Sequence, residues 1–119
     1  MSNCVQLGVL RYSWLAYLLR QGHRVLDTPE NVLVIRSRNG SRRRYRWLLT
    51  TCQGVAHAFS REEKARIRRE IRLASRLREK AYLVVGFAGE PRRIVAVPAS
   101  SVLAMGVVRS DRGGIGWDE

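Results

Sequence analysis

The hydrophobic positions near the start of the chain repeat with the period of an α-helix. Apolar residues recur every three or four positions between Val5 and Gln21, and this spacing predicts a helix. Val9, Leu15 and Leu19 widen the apolar side beyond a narrow stripe, so we expect this helix to be well buried. Gly22 follows and is suited to the left-handed conformation that ends many helices.

A second helix is predicted to begin after Ser60. Glu63 lies three residues further on, which is the spacing of a capping box, where each residue satisfies a free backbone N–H of the other. An apolar stripe at helical spacing follows, made of Ile67, Ile71, Ala74 and Leu77. We expect the stripe to pack on a sheet while the charged positions face solvent. A short third helix, capped by Ser100 or Ser101, is predicted to reach Met105.

The segment from Val32 to Cys52 predicts a β-hairpin. A β-branched run at 32–35 leads into Asn39-Gly40, a common pair for a type I′ turn, and a returning strand follows. Alternate residues of that strand fall on opposite faces. One face carries Tyr45, Trp47, Leu49 and Thr51, and the other carries Arg44, Arg46, Leu48 and Thr50.

Three further strands complete a predicted mixed sheet. A short strand is expected at 23–27, and the continuous apolar runs at 82–87 and 94–97 are typical of strands covered on both faces. Residues 53–59 are predicted to be a connection. The predicted fold is therefore α/β with the order α-β-β-β-α-β-β-(α) and helices on the faces of the sheet. The expected core comprises Trp47, Leu49, Leu83, Val85 and Val95, with Ile67, Ile71 and Leu77 packed on it.

The length and composition fit one domain. The chain has 119 residues, of which 45% are hydrophobic, and this suffices for a core. We expect a single domain over residues 1–109 and a flexible tail over residues 110–119. No apolar run of membrane-spanning length and no secretion signal is apparent, which predicts a cytoplasmic protein without a membrane partner. Cys4 and Cys52 lack zinc or redox spacing and are expected to be buried thiols.

Positive charge is the strongest global feature of the sequence. The formal net charge is +12, and 20 of the 22 cations are Arg, which binds phosphate at two points. Six cations surround the hairpin turn, and residues 60–80 hold nine cations against four anions. This local concentration predicts a polyanionic partner. Codon bias toward Arg is the alternative explanation, and composition does not separate the two.

The predicted order of elements resembles the PD-(D/E)XK nucleases, in particular their small Holliday-junction-resolvase-like and restriction-endonuclease-like members. The resemblance extends from Val5 to Leu103 and includes the hairpin, the Ser-capped basic helix and the two apolar strands after it. It implies a restriction-endonuclease-like fold in which two carboxylates hold Mg²⁺ and a Lys helps to activate water. The third strand, 48–52, contains no acid and no Lys, so the catalytic motif is missing there.

A few other residues are weak candidates for chemistry. Asp27 and Glu30 lie near the expected position of the first metal ligand, although polar turn residues explain them equally well. We expect no cofactor, except Mg²⁺ if the chain is an active nuclease. Cys52 and His57 form a nucleophile–base pair only if the fold brings them together, and an inert strand-end Cys is the commoner case.

Three hypotheses for the function follow. The first is a non-catalytic, degenerate nuclease-fold domain, with no catalytic residue, that binds the backbone of nucleic acid, DNA in the first instance. Its expected contacts are Arg42, Arg43, Arg44, Arg46, Arg61, Arg68, Arg69, Arg72 and Arg76. The second is an active metal-dependent nuclease that uses Asp27 or Glu30. The third is a structural or partner-binding domain with codon-biased Arg content, in which Trp14 and Trp117 mark the surface of a homodimer.

Overall fold

The computed structural model of the chain describes residues 2–26, 32–36, 44–88 and 93–110, and the side chains of 7–23, 45–88 and 93–110. This part of the chain contains three helices and seven strands. In chain order they are α1 (Ser2–Arg20), β1 (Arg24–Leu26), β2 (Val32–Arg36), β3 (Arg44–Cys52), β4 (Ala56–Ala58), α2 (Arg61–Arg76), β5 (Glu79–Phe87), β6 (Arg93–Pro98), α3 (Ala99–Met105) and β7 (Val107–Arg109).

Five of the seven strands form one mixed sheet in the order β1-β2-β3-β5-β6. Strands β1, β2 and β3 form an antiparallel meander, and β6 is antiparallel to β5. Strand β5 is parallel to β3 along nine residue pairs, from Arg44 opposite Glu79 to Cys52 opposite Phe87. A parallel neighbour requires a crossover connection, and α2 lies within it. The predicted α/β class and mixed sheet are confirmed.

A second, two-stranded sheet was not predicted. The segment at 53–59, expected to be a connection, contains β4, which pairs with β7 in antiparallel orientation. Each of the two strands has only three residues, Ala-His-Ala and Val-Val-Arg. Three residues are too few to show an alternating pattern, and the partner strand is far away in the sequence.

The two faces of the large sheet carry separate apolar clusters, as the alternation along β3 predicted. Leu49 of β3 and Val84 of β5 pack with α1, whereas Leu48 and Leu83 pack with α2 and α3. Of the expected core strand residues, Leu49, Leu83, Val85 and Val95 are buried, and Trp47 is half-buried.

Helix α1 buries only one of its sides. Leu10, Trp14 and Leu18 lie on the sheet, but Val9 and Leu19 are 38% and 54% exposed, so the expectation of a well buried helix is wrong. A helix on an open sheet has one side in contact, and no other described element covers the opposite side. Trp14 is only 5% exposed and does not mark a dimer surface. The helix ends as predicted, with Gly22 at a positive φ of 84°.

Helix α2 begins with the predicted capping box, in which the Ser60 side chain and the Glu63 side chain each accept a backbone N–H. Ile67 and Ala74 are buried, but Leu77 is 44% exposed, so its expected packing on the sheet is wrong. Leu77 is the C-cap of α2, and at this end of the helix the apolar stripe no longer faces the sheet. Arg78 follows with a φ of 57°, a conformation that glycine usually supplies.

Helix α3 begins directly after Pro98 and has no side-chain cap, so the predicted cap by Ser100 or Ser101 is wrong. Pro98 takes the N-cap position itself, with its φ fixed by the proline ring, and the helix begins at Ala99. Both serines therefore already lie in the first helical turn. The predicted tail, residues 110–119, lies outside the described residues except for Ser110, as does Trp117. In the described part of the chain no helix is both long and apolar enough to cross a membrane.

We predict that Leu83→Ala lowers the free energy of unfolding by about 2–5 kcal/mol, because it removes a fully packed side chain from the sheet centre and leaves a cavity. Leu77→Ala is the matched control, since Leu77 is 44% exposed and its truncation should have a much smaller effect. Urea denaturation of both variants measures the difference. Equal losses in the two variants would contradict the placement of α2 on the sheet.

Candidate nucleic-acid interface

Five arginines form one exposed side of helix α2. They are Arg61, Arg68, Arg69, Arg72 and Arg76. At 3.6 residues per turn they lie within an arc of about 100° and extend over about 22 Å of the helix axis. None of the five makes an ion pair or a side-chain hydrogen bond with another described residue. We call this surface the arginine face.

The apolar stripe of α2 determines where the arginine face points. Ile67 and Ala74 are buried against the sheet, so the positions half a turn away from them must face solvent. Two of the three helix acids lie near the buried side. Glu63 accepts hydrogen bonds from the Ser60 backbone N–H at 3.0 Å and from His57 Nε2 at 2.9 Å, and Glu70 pairs with Arg46 at 3.3 Å. These two acids therefore do not neutralise the arginine face, and the third, Glu62, is exposed at its N-terminal edge.

Arg46 differs from the other arginines expected to bind phosphate. Its Nε–H donates to Glu79 Oε1 at 2.8 Å, and its Nη1 lies 3.3 Å from Glu70 Oε2. The Arg46 side chain is 13% exposed and that of Glu79 only 1%. The Arg46 guanidinium thus joins β3, β5 and α2 inside the domain, and it does not belong to the arginine face.

The hairpin arginines cannot be added to this surface. Arg42 and Arg43 lie outside the described residues, and so does the side chain of Arg44, whose backbone belongs to β3. Their contact with phosphate stays a prediction, and so does the coincidence of the two basic clusters on one side of the domain.

Two cations next to the arginine face were counted in the sequence but not assigned to a site. Arg78 and Lys80 are exposed at the turn from α2 into β5. Lys80 and Ser75 help to line a groove of about 330 Å³ beside α3. Ser75 also lines a neighbouring groove of about 450 Å³ with Arg72 and Arg76. The basic surface therefore continues around the C-terminal end of α2. The turn at Arg78 determines where Arg78 and Lys80 lie on it.

The surroundings of Thr50 do not resemble a metal centre. Thr50, Glu63 and Arg66 line a cavity of about 40 Å³, and Glu63 is the one acid among its lining residues. The described residues contain no group of three or more His, Cys, Asp or Glu side chains able to hold a metal ion. Asp27 and Glu30 lie outside the described residues, so the expectations about metal and cofactors stay predictions.

Cys52 and His57 bind to other groups and not to each other. The Cys52 thiol donates to the Ala56 carbonyl oxygen at 3.3 Å. His57 Nε2 is occupied by Glu63, and the imidazole ring meets the Phe59 ring edge-on at 4.6 Å. His57 therefore joins β4 to the first turn of α2.

Comparison of the chain with protein-family models finds no match, and neither the curated proteins nor the solved structures give one. Any proposal about function therefore depends on the side chains of the arginine face and their surroundings.

The Glu63 carboxylate couples helix capping to pH. Partial burial acts to raise its pKa, but the Ser60 backbone N–H and His57 favour the charged form, and together they lower the pKa below the ordinary value of 4.5. A carboxylate with a depressed pKa in the folded state contributes stability above its unfolded pKa. That contribution is lost as the pH falls through the folded pKa.

We predict that Glu63→Gln destabilises the domain at neutral pH and that its difference from wild type shrinks on acidification. Gln keeps a capping side chain but cannot carry the charge. Urea midpoints measured from about pH 7 to about pH 3 test this. Glu62→Gln is the control, because Glu62 is exposed and outside the His57 contact. The same pH response in both variants would contradict the coupling.

Proposed function

We propose that this domain binds nucleic acid, DNA in the first instance, through the arginine face, and that it does so without reading the base sequence. The observation that carries the proposal is the segregation of charge on α2. Five arginines point to solvent without a partner among the described residues, while Glu63 and Glu70 are held by Ser60, His57 and Arg46. A solvated helix surface with no anionic partner would gain from mixed charges, whereas here the exposed Glu62 is the one acid beside five arginines.

Repulsion within the arginine face favours an anionic ligand. Arg68, Arg72 and Arg76 are four residues apart, and each like-charge pair at this spacing destabilises a helix by about 0.2–0.5 kcal/mol. Phosphate groups remove this cost when they bind. Arginine suits them because its planar guanidinium donates two parallel hydrogen bonds to phosphate oxygens.

The composition of the face supports backbone contacts. Beside its arginines the exposed side of α2 carries Glu62, Ala65 and Ser75, with no Asn or Gln for paired contacts to adenine. Contacts to phosphate position a protein on a duplex but carry no sequence information. We therefore propose weak binding of similar strength to unrelated sequences.

We also propose a nuclease-like ancestry for the fold, with a degenerate site. The antiparallel meander β1-β2-β3, the crossing helix α2 and the parallel neighbour β5 have the order expected from the PD-(D/E)XK resemblance. On β3 the residues that face α2 include Leu48 and Thr50, where the resemblance implies metal ligands and a Lys. The proposal is accordingly a binding domain without catalysis.

We predict that Arg68→Gln/Arg72→Gln weakens binding to a labelled duplex and lowers the slope of log affinity against log salt concentration by about 2, since each lost phosphate contact contributes about 0.9. Arg20→Gln/Arg109→Gln is the matched control. It removes the same charge from exposed positions outside α2 and should leave the slope nearly unchanged. Fluorescence anisotropy at several salt concentrations measures both.

Two results would count against the arginine face. Equal slopes for wild type and both double variants would show that these arginines do not contact phosphate, and codon bias would then explain the charge. Equal losses in the two double variants would show attraction by net charge alone. Melting temperatures of the variants establish that folding is intact in either case.

We predict no cleavage of linear, branched or single-stranded DNA in the presence of Mg²⁺ or Mn²⁺, because β3 carries neither an acid nor a Lys. Gel electrophoresis after prolonged incubation measures this. Metal-dependent cleavage that Asp27→Ala abolishes would overturn the prediction and establish the rearranged nuclease site instead.

A further inference from the structure

A row of aromatic rings extends from α1 across β3 to β5. The register pairs Trp47 with Tyr82 and Tyr45 with Lys80, so these four side chains leave the same face of the sheet. The Trp47 ring meets Trp14 of α1 at 5.2 Å and stacks on the Tyr82 ring at 4.8 Å. The Tyr45 ring lies 5.9 Å from that of Tyr82. We call Tyr45, Trp47 and Tyr82 the aromatic row.

The aromatic row ends on a part of the sheet that α1 leaves open. Helix α1 lies mainly over β1 and β3. Next to Tyr82, strand β6 presents Pro98 and Ala96 on the same face, and both are exposed. Lys80 is exposed as well, and Tyr82 itself is half-buried. Aromatic rings at an open surface next to a cation are the combination on which the bases of single-stranded nucleic acid stack.

A groove joins this open part of the sheet to the arginine face. Its volume is about 330 Å³, and it lies where β5 begins and β6 ends. Ser75 lines it from α2, while Lys80 and Tyr82 line it from β5, although their register places them on the sheet face opposite to α2. Ser75 also lines the neighbouring groove with Arg72 and Arg76. The arginine face and the aromatic row are therefore contiguous around this end of the sheet.

The charge around the groove favours a nucleic acid strand over a cationic ligand. Arg78 and Lys80 are exposed beside it. Glu79 is the one acid among its lining residues, and the buried Glu79 carboxylate is held by Arg46 Nε at 2.8 Å. Aromatic rings also attract cationic ligands, but the excess of positive charge on this surface repels them.

The aromatic row requires bases that are free to stack. In a duplex the bases are paired and stacked on each other, and taking one out has an energetic cost. Single-stranded bases stack on aromatic side chains whatever their identity, which agrees with binding that does not read the sequence. The groove is at the low end of the volumes of about 300–1,000 Å³ that are usual for ligand pockets, so it accommodates about one nucleotide.

We propose that the aromatic row, with Tyr82 as its outermost ring, stacks the unpaired bases of a single-stranded segment while the adjoining duplex backbone lies on the arginine face. This inference rests on the proposed function and adds its substrate class, which is DNA with a junction between duplex and single strand. The strand passes through the groove beside Ser75 and Lys80.

Fluorescence anisotropy with three labelled DNA probes tests the inference. The probes are a blunt duplex, the same duplex with an overhang of about four thymidines, and the same duplex with an overhang of equal length made of abasic nucleotides. Both overhangs carry the same number of phosphates, so the ratio of their affinities isolates the contribution of the bases. Wild type should bind the thymidine overhang at least about fivefold more tightly than the abasic one.

Four variants locate the stacking. Tyr82→Leu should bring the ratio close to one, whereas Tyr82→Phe keeps the ring and should keep the ratio. Ser75→Leu fills the groove from an exposed helix position and should lower the ratio without altering the aromatic row. Ala65→Leu is its matched control, at an exposed position of α2 outside the groove. Unchanged affinity for the blunt duplex establishes that each variant is folded and that its arginine face is intact.

The outcomes separate this inference from the proposed function. Equal affinity of wild type for the two overhangs overturns the inference, while binding of the blunt duplex still supports the arginine face. Failure to bind any of the three probes overturns both. A ratio that survives in Tyr82→Leu and in Ser75→Leu also overturns the inference, because the bases then stack elsewhere on the domain.

Discussion

The ion pairs of Arg46 connect α2 to two strands of the sheet and support the orientation that the apolar stripe gives the helix. One guanidinium on β3 bonds to Glu79 at the start of β5 and to Glu70 on α2, at 2.8 and 3.3 Å. Because the Glu79 side chain is almost fully buried, loss of Arg46 would break a buried ion pair, which typically costs about 3–5 kcal/mol. The contact does more than stabilise. It holds Glu70 near the sheet and so supports the rotation, set by the buried Ile67 and Ala74, at which the arginines of α2 point to solvent.

The positive charge on the surface of α2 lowers the stability of the helix. Repulsion along the arginine face works against the helix, and a helix of 16 residues is marginal in isolation. The capping box at Ser60 and Glu63, the acids near the N-terminal end and the burial of Ile67 offset that repulsion. The domain thus keeps a surface that its own electrostatics disfavour, and this is the physical reason to assign the surface to a ligand.

Local signals in the sequence predicted the parts of the fold that depend on local chemistry. Alternation along β3, the capping box and the role of Gly22 all follow from neighbouring residues. Long-range contacts decide the rest, since nothing near Arg46 in the sequence distinguishes it from an arginine that faces solvent. Its partners are 24 and 33 residues away. The β4–β7 pair was not predicted for the same reason, because each three-residue strand forms only through hydrogen bonds to a partner that is distant in the sequence.

Helix periodicity shows which residues are apolar but not whether a second surface covers them. The sequence of α1 predicted a buried helix, and the sheet covers only the side with Leu10 and Leu18, which leaves Tyr12 outside. Since α1 and α2 pack on opposite faces of the sheet, the uncovered side of α1 and the arginine face lie on opposite sides of the domain.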